Sequence, residues 1–237
     1  MNKTVKKILI SLLCVFLALL LAVGSYAAYV LISYSRIEDF LSLEVSPAAE
    51  ENAEIAESVR IGTTYTAVSF NIGFGAYTPD FTFFMDGGKE SRAESKESVI
   101  AHVTSAAETA LSLSPDFALF QETDTSSTRS HHVNERTLIA DVFSSFQSVF
   151  AVNYHSAYLM YPIFEPHGKS NSGILTFSKT AISSAVRRSL PISSSLSKLL
   201  DLDRCYSVSR IPAENGKEFV LYNVHLSAYG GSDEIRA

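Results

Sequence analysis

The sequence predicts a mixed α/β (α+β) domain carried behind one N-terminal transmembrane helix. Three observations lead there. A run with no charged residue extends from Ile8 to Ile32. Beyond it, short apolar runs that end in polar residues flank a stretch of helical periodicity. Near the C-terminal end, Asn215-Gly216 separates two more apolar runs, the strongest short signal for a β-hairpin.

The elements follow in chain order. "MNKTVKKILISLLCVFLALLLAVGSYAAYVLI" sets Lys3, Lys6 and Lys7 ahead of the apolar run. Residues 1–7 therefore read as a basic cytoplasmic N-terminus, and 8–32 as a transmembrane helix or signal anchor. Ser25-Tyr26-Ala27 has the small residues of a signal-cleavage site, which would yield a secreted domain. The apolar run continues past it to Ile32, which favours the anchor. Both readings put the domain outside the cytoplasm. Residues 33–62 read as a linker: from Arg36 to Gly62 there are seven acidic residues and two basic ones. "SPAAEENAEIAESVRIG" fits a solvated spacer or a short solvated helix. Residues 63–237 remain as one globular unit.

"TYTAVSFNIGFGAY" alternates, with Val68 and Phe70 on one face, then runs into a glycine loop at Asn71. Between Arg92 and Leu113, Val99, Ile100, Val103, Ala107, Ala110 and Leu111 recur at helical spacing, and Pro115 ends the helix. In "PDFALFQETD" an apolar strand from Phe117 to Phe120 delivers Gln121, Glu122 and Asp124. A carboxylate at the end of a buried strand needs a partner, and a divalent cation is a natural one. "ERTLIADVFSSF" reads as a second amphipathic helix. "NYHSAYLMYPIFEPHGK" reads as a tyrosine-rich loop kept extended by Pro162 and Pro166. Its Tyr154, Tyr158, Tyr161 and Phe164 fit packing better than a substrate groove. "NSGILTFS" is a strand entered at Asn171. Cys205–Ile211 and Phe219–Leu226 form the hairpin, and His225 stands at its far end.

Composition bounds the function. The 46% hydrophobic content supplies a core, and the net charge of −6 argues against nucleic-acid binding through a basic surface. It does not argue against a metal enzyme, whose cations bring the positive charge. Cys14 and Cys205, the only cysteines, form neither a disulfide framework nor a zinc spacing. Adjacent His131 and His132 diverge and lack the i,i+4 spacing of a helical metal pair. They read as surface residues, and His155 and His167 as satisfied polar ones. Nothing in the sequence calls for an obligate protein partner.

Three strand ends thus carry Asn71, Glu122 and His225. In order and spacing, "SFNIGFG", "PDFALFQETD", "SNSGILTFSK" and "LYNVHLSA" resemble the endonuclease/exonuclease/phosphatase superfamily, the deoxyribonuclease I-like metal-dependent phosphoesterases, in a bacterial membrane-anchored branch. The resemblance implies a four-layer α/β/β/α sandwich, here partial. It implies that Glu122 and Asn71 hold a divalent metal ion, Mg²⁺ in most of the family, and that His225 contacts the scissile phosphate. Asn223 belongs to the same motif and is a candidate catalytic residue beside His225, with a structural role as the alternative. Arg129 and Asn171 are candidates for holding the phosphate or substrate. The substrate is then a phosphate ester or phosphodiester: nucleic acid, phospholipid headgroup or inositol phosphate. The family's later Gly-Asp-x-Asn and terminal Ser-Asp-His do not occur among the 237 residues. The expectation is an N-terminal portion of such a domain, with little or no turnover. A non-catalytic, membrane-tethered scaffold that keeps the fold is the alternative. A desolvated carboxylate beside an imidazole is what such a scaffold does not need.

Overall fold

The computed structural model describes residues 2–192 and 202–226. The chain falls into two units, Met1–Ser35 and Arg36–Ala237. The first is helix α1, Lys3–Ser33, whose N-cap Asn2 accepts a hydrogen bond from the Thr4 amide. Its 31 residues extend about 46 Å at 1.5 Å per residue, enough to cross a bilayer. No residue of it is buried, and it is long and apolar enough to span.

The second unit contains two sheets. The five-stranded sheet runs β2 (Val45–Ser46), β5 (Gln147–His155), β6 (Asn171–Ser178), β4 (Phe117–Asp124), β3 (Ala67–Asn71). Only β3 and β4 are parallel neighbours; the other pairs are antiparallel. The four-stranded sheet runs β1 (Leu41–Leu43), β7 (Ser184–Ser189), β8 (Cys205–Pro212), β9 (Glu218–Val224), antiparallel throughout.

Alternation along β4 builds two cores. Ala118 and Phe120 face helices α2 (Lys96–Ser112) and α3 (Glu135–Val142), and pack with Val99, Val103, Ala107 and Ile139. Phe117 faces the other sheet and packs with Val149, Ile182, Ala185 and Ile211. Among the described residues this makes three layers, α/β/β, with no helix on the outer face of the four-stranded sheet.

Helix α2 starts at Ser95, whose hydroxyl accepts from the Ser98 amide. This is later than the predicted start at Arg92, and Ile100 on the predicted apolar face is exposed. Gly75 ends the 3-10 turn Gly73–Gly75 with φ +66, and a Cβ there would lie 2.9 Å from Val103 and 3.0 Å from Val99. It lets the loop lie directly on α2.

The stretch expected as a spacer, 33–62, is instead largely part of the domain. β1 pairs with β7 and β2 with β5, Ala56 bridges to Thr180, and Val59 is buried. Strands of three and two residues in an acidic context leave no periodicity to read. The hairpin turns as predicted, with Asn215 Oδ1 accepting from the Lys217 amide and Gly216 at φ +74.

Candidate functional site

β3 and β4 run parallel, so their C-terminal ends meet at one end of the sheet, and β5 ends there as well. β4 does not stop at Phe120. It continues to Asp124 through a bulge between Phe120 and Thr123, where Glu122 takes φ +58. A bulge re-aims the side chain it carries, at some cost in backbone strain for a residue with a Cβ. The Glu122 carboxylate meets both neighbours with one oxygen. Asn71 Nδ2 donates to Oε1 at 3.0 Å, and His225 Nε2 stands 3.4 Å from the same atom. Asn71 Oδ1 accepts from the Gly73 amide at 3.0 Å, which holds the amide in place. The three predicted strand ends, Asn71, Glu122 and His225, are therefore in contact.

Burial pushes the Glu122 carboxyl up, but His225, the Arg129 charge and Asn71 outweigh it and bring it down to about 2. Glu122 is an anion at neutral pH, and its side chain is 24% exposed, so it is open to a ligand. Behind His225, the Asn153 amide Nδ2 stands 3.0 Å from Nδ1. An NH₂ group facing Nδ1 makes that nitrogen an acceptor. The proton then sits on Nε2, the nitrogen that faces Glu122. Asn153 is buried on β5 and was not singled out from sequence; the alternation of "FAVNY" is the signal that turns it inward.

Asn223 is placed differently from its predicted catalytic role. It is buried between the sheets. Its Nδ2 donates to Phe120 O at 3.3 Å, Leu175 O at 3.1 Å and Thr176 Oγ1 at 3.2 Å, and its Oδ1 accepts from Gln121 Nε2 at 2.8 Å. It staples β9 to β4 and β6, two residues before His225, and so positions the histidine.

Arg129 is not placed to hold a phosphate. Its guanidinium is buried and makes a two-pronged contact with Asp124, at 3.0 and 2.8 Å, while lying 4.0 Å over the Phe74 ring. Burial opposes its charge, yet Asp124 raises its pKa above the ordinary value. Sequence spacing could not reveal this, because the partner lies only five residues away around a tight turn. Asp124 also accepts from Ser130 Oγ at 2.9 Å, and its amide donates to Glu135 Oε2 at 2.7 Å. Burial, then the Asp124 charge, push Glu135 well above the usual glutamate range. Asn171 ties the 125–127 loop through its backbone, accepting from the Thr125 amide at 2.9 Å and donating to Ser127 Oγ at 2.8 Å. Among the described residues no hydrogen bond joins its side chain to Asn71, Glu122 or His225.

The other histidines serve the scaffold. His131 Nε2 sits 2.7 Å from Ala93 O, so it is more engaged than a surface residue. His132 is exposed. His167 is buried between Ser91 O and Ser170 Oγ, and burial with the Arg129 charge pushes it down to about 4. Burial pushes the Cys205 thiol up to about 11, which leaves it unreactive.

A cation is tested by the donors present. Glu122 supplies an ionised carboxylate whose Oε2 has no hydrogen-bond partner among the described residues, and Asn71 supplies an amide oxygen, Oδ1, which keeps a second lone pair while accepting from the Gly73 amide. One carboxylate plus one neutral oxygen suits Mg²⁺, which keeps several waters. No cluster of three or more His, Cys, Asp or Glu stands anywhere among the described residues, which excludes a fully protein-built cage there. A cleft of about 610 Å³ touches the site at Asn71 and Glu122, but extends along β3 toward His102 and Thr109 on α2 and does not include His225. It is the open flank of β3 rather than a closed substrate pocket.

No family model matches the sequence, and no curated protein matches it. Among solved structures, the chain is similar to an endonuclease/exonuclease/phosphatase family protein from Leptotrichia buccalis C-1013-b, at 13% identity and TM-score 0.42, over 69% of this chain and 55% of that one. It is also similar to an endonuclease/exonuclease/phosphatase from Beutenbergia cavernae DSM 12333, at 18% identity and TM-score 0.43, over 72% of this chain and 40% of that one. The chain thus spans about half the length of the first structure and two fifths of the second. Both are described as endonuclease/exonuclease/phosphatase proteins.

Proposed function

We propose that this chain is a membrane-anchored, divalent-metal-dependent hydrolase of phosphate esters or phosphodiesters that acts outside the cytoplasm. One observation carries the reading. An ionised, partly exposed carboxylate, Glu122, is held by an amide and faced by the Nε2 of an imidazole, where the two sheets meet. Glu122 and Asn71 would hold the cation through oxygen, and the chemistry a bound Mg²⁺ would supply is polarisation of a phosphoryl oxygen and a lowered pKa of water. His225, with its proton on Nε2, donates to the phosphoryl oxygen on which charge develops, and Asn153 keeps the proton on that nitrogen. Lys3, Lys6 and Lys7, in the first turns of α1 and ahead of its uncharged run, support an N-terminus inside and a domain outside.

One carboxylate gives weak cation binding, and no second carboxylate touches Glu122 among the described residues. Turnover by this chain is therefore expected to be slow. Calorimetric titration of the detergent-solubilised chain with Mg²⁺ tests the site. Binding in the millimolar range that disappears in Glu122→Gln, with slow metal-dependent hydrolysis of bis(p-nitrophenyl) phosphate that disappears in His225→Ala, is the expected result. No binding at millimolar Mg²⁺ and no hydrolysis would leave the non-catalytic scaffold as the better reading.

A further inference from the structure

The loop that joins β5 to β6 leaves the sheet at the same end as Glu122 and returns to it at Asn171. Its base is fastened. Leu159 and Gly168 exchange backbone hydrogen bonds of 3.0 Å, the His167 amide donates to Tyr161 O at 3.1 Å, and Arg92 Nε donates to Pro166 O at 2.7 Å. The Tyr161 ring lies 5.8 Å from the Phe84 ring. Its tip is apolar and exposed: Met160 at 56%, Tyr161 at 67%, Ile163 at 77% and Phe164 at 101%. No charged residue occurs from Tyr158 to Phe164. Scattered apolar residues on a surface need no explanation, but four clustered at the tip of a braced loop mark a docking surface.

We propose that this tip docks on a lipid bilayer, with Ile163 and Phe164 entering the acyl boundary and Tyr161 at headgroup level. Two features of the chain favour lipid over a protein partner. The tip mixes aromatic and aliphatic side chains without charge, which suits the membrane interface. The chain also carries a helix long enough to span a bilayer, and only residues 34–40 separate it from β1. A tether that short holds lipid at high effective concentration, so that even weak insertion is populated. The site beside the loop would then work at the membrane surface, whichever phosphate ester it takes.

The protein has no tryptophan, so a single introduced one reports alone. Phe164→Trp, Ile163→Trp and, as a control elsewhere on the domain, Ile61→Trp are made in the full chain and reconstituted into phosphatidylcholine vesicles with and without doxyl-labelled lipid. The loop reporters are expected to emit at shorter wavelength and to lose at least half their intensity to doxyl lipid, while Ile61→Trp is unaffected. Loop reporters quenched no more than the control would overturn the proposal. So would a blue shift without doxyl quenching, which would mean that a second copy or another protein covers the tip. Neither measurement depends on hydrolysis, so a failed activity assay and a failed docking assay are separate results.

Discussion

The buried trio Asp124, Arg129 and Glu135 makes a prediction in which the sign of the pH dependence is decisive. Arg129 is paired with Asp124, and burial with the Asp124 charge pushes the Glu135 carboxyl up, toward its neutral form. Asp124→Asn keeps the shape and removes the charge that pairs Arg129. Breaking a buried ion pair by removing one partner costs about 3–5 kcal/mol. Glu122 and Glu135 both feel the Arg129 charge, and the loss of the Asp124 charge favours ionisation of Glu135. The Asp124→Asn deficit should then be largest near pH 5, at about 3–5 kcal/mol, and shrink toward pH 8. Glu135→Gln changes little at pH 5, because Oε1, the atom altered, has no hydrogen-bond partner among the described residues. An acid whose folded pKa is raised destabilises the fold above its unfolded value. Glu135→Gln should therefore gain on the wild type as pH rises, by about 1.4 kcal/mol for each pH unit between the ordinary glutamate value and the folded one. Urea unfolding of wild type, both single variants and the double variant, at pH 5 and pH 8, measures all of this. If Glu135→Gln loses stability relative to wild type between pH 5 and 8, Glu135 is ionised and the reasoning fails.

Other tests concern the site and its frame. The depressed Glu122 carboxyl contributes stability that is fully present above the ordinary glutamate pKa of 4.5 and is lost as pH falls toward about 2. Acid titration of unfolding should show a loss on the order of 2–3 kcal/mol in that window, absent from Glu122→Gln. Asn223→Ala removes four hydrogen bonds of a buried amide and should cost about 2–4 kcal/mol by urea unfolding, whereas His225→Ala should leave stability within about 1 kcal/mol and remove hydrolysis. Asn153→Leu frees His225 Nδ1 and should lower kcat about tenfold with KM unchanged. Gly75→Ala puts a Cβ against Val99 and Val103 at positive φ and should cost about 2–4 kcal/mol, read as a lowered Tm.

Much of the frame was legible because it rests on local chemistry. The uncharged run gave α1, the helical spacing of Val99, Val103, Ala107 and Ala110 gave α2, and Asn215-Gly216 gave the β8–β9 turn. The three polar strand ends were legible because each interrupts an apolar run. What escaped rests on distant partners. Strand β7 contains Arg187, which looks like a surface residue in sequence. In the fold it is fully buried and donates to Val152 O, Glu38 O, Ser189 Oγ and Asp203 O. β5 hid behind the polar and aromatic end "NYH", which suggested a loop. Arg129 was expected at the phosphate because a cation near a carboxylate suggests a ligand, but its geometry is spent on Asp124. For Asn223 the sequence leaves a catalytic and a structural role open, and its buried hydrogen bonds favour the structural one. Nothing local distinguishes an amide that touches substrate from one that satisfies two carbonyls and a hydroxyl across a sheet interface.

That buried amide has a further meaning for the folding of the hairpin. Among the described residues β9 is an edge strand, paired with β8. The Asn215-Gly216 turn sets its register, and a one-residue slip would turn every side chain to the opposite face. Asn223 reinforces that register. In a slipped pairing, Leu221 or Tyr222 would face the carbonyls of Phe120 and Leu175, which would lose their extra donor, and Gln121 would lose its acceptor. A slip of two residues would also carry His225 about 7 Å along the strand, out of reach of Glu122. The distance between imidazole and carboxylate is thus settled during strand pairing, by proofreading of register. Errors at position 223 would surface as chains that fold with the wrong alignment rather than as poor catalysts with the right one.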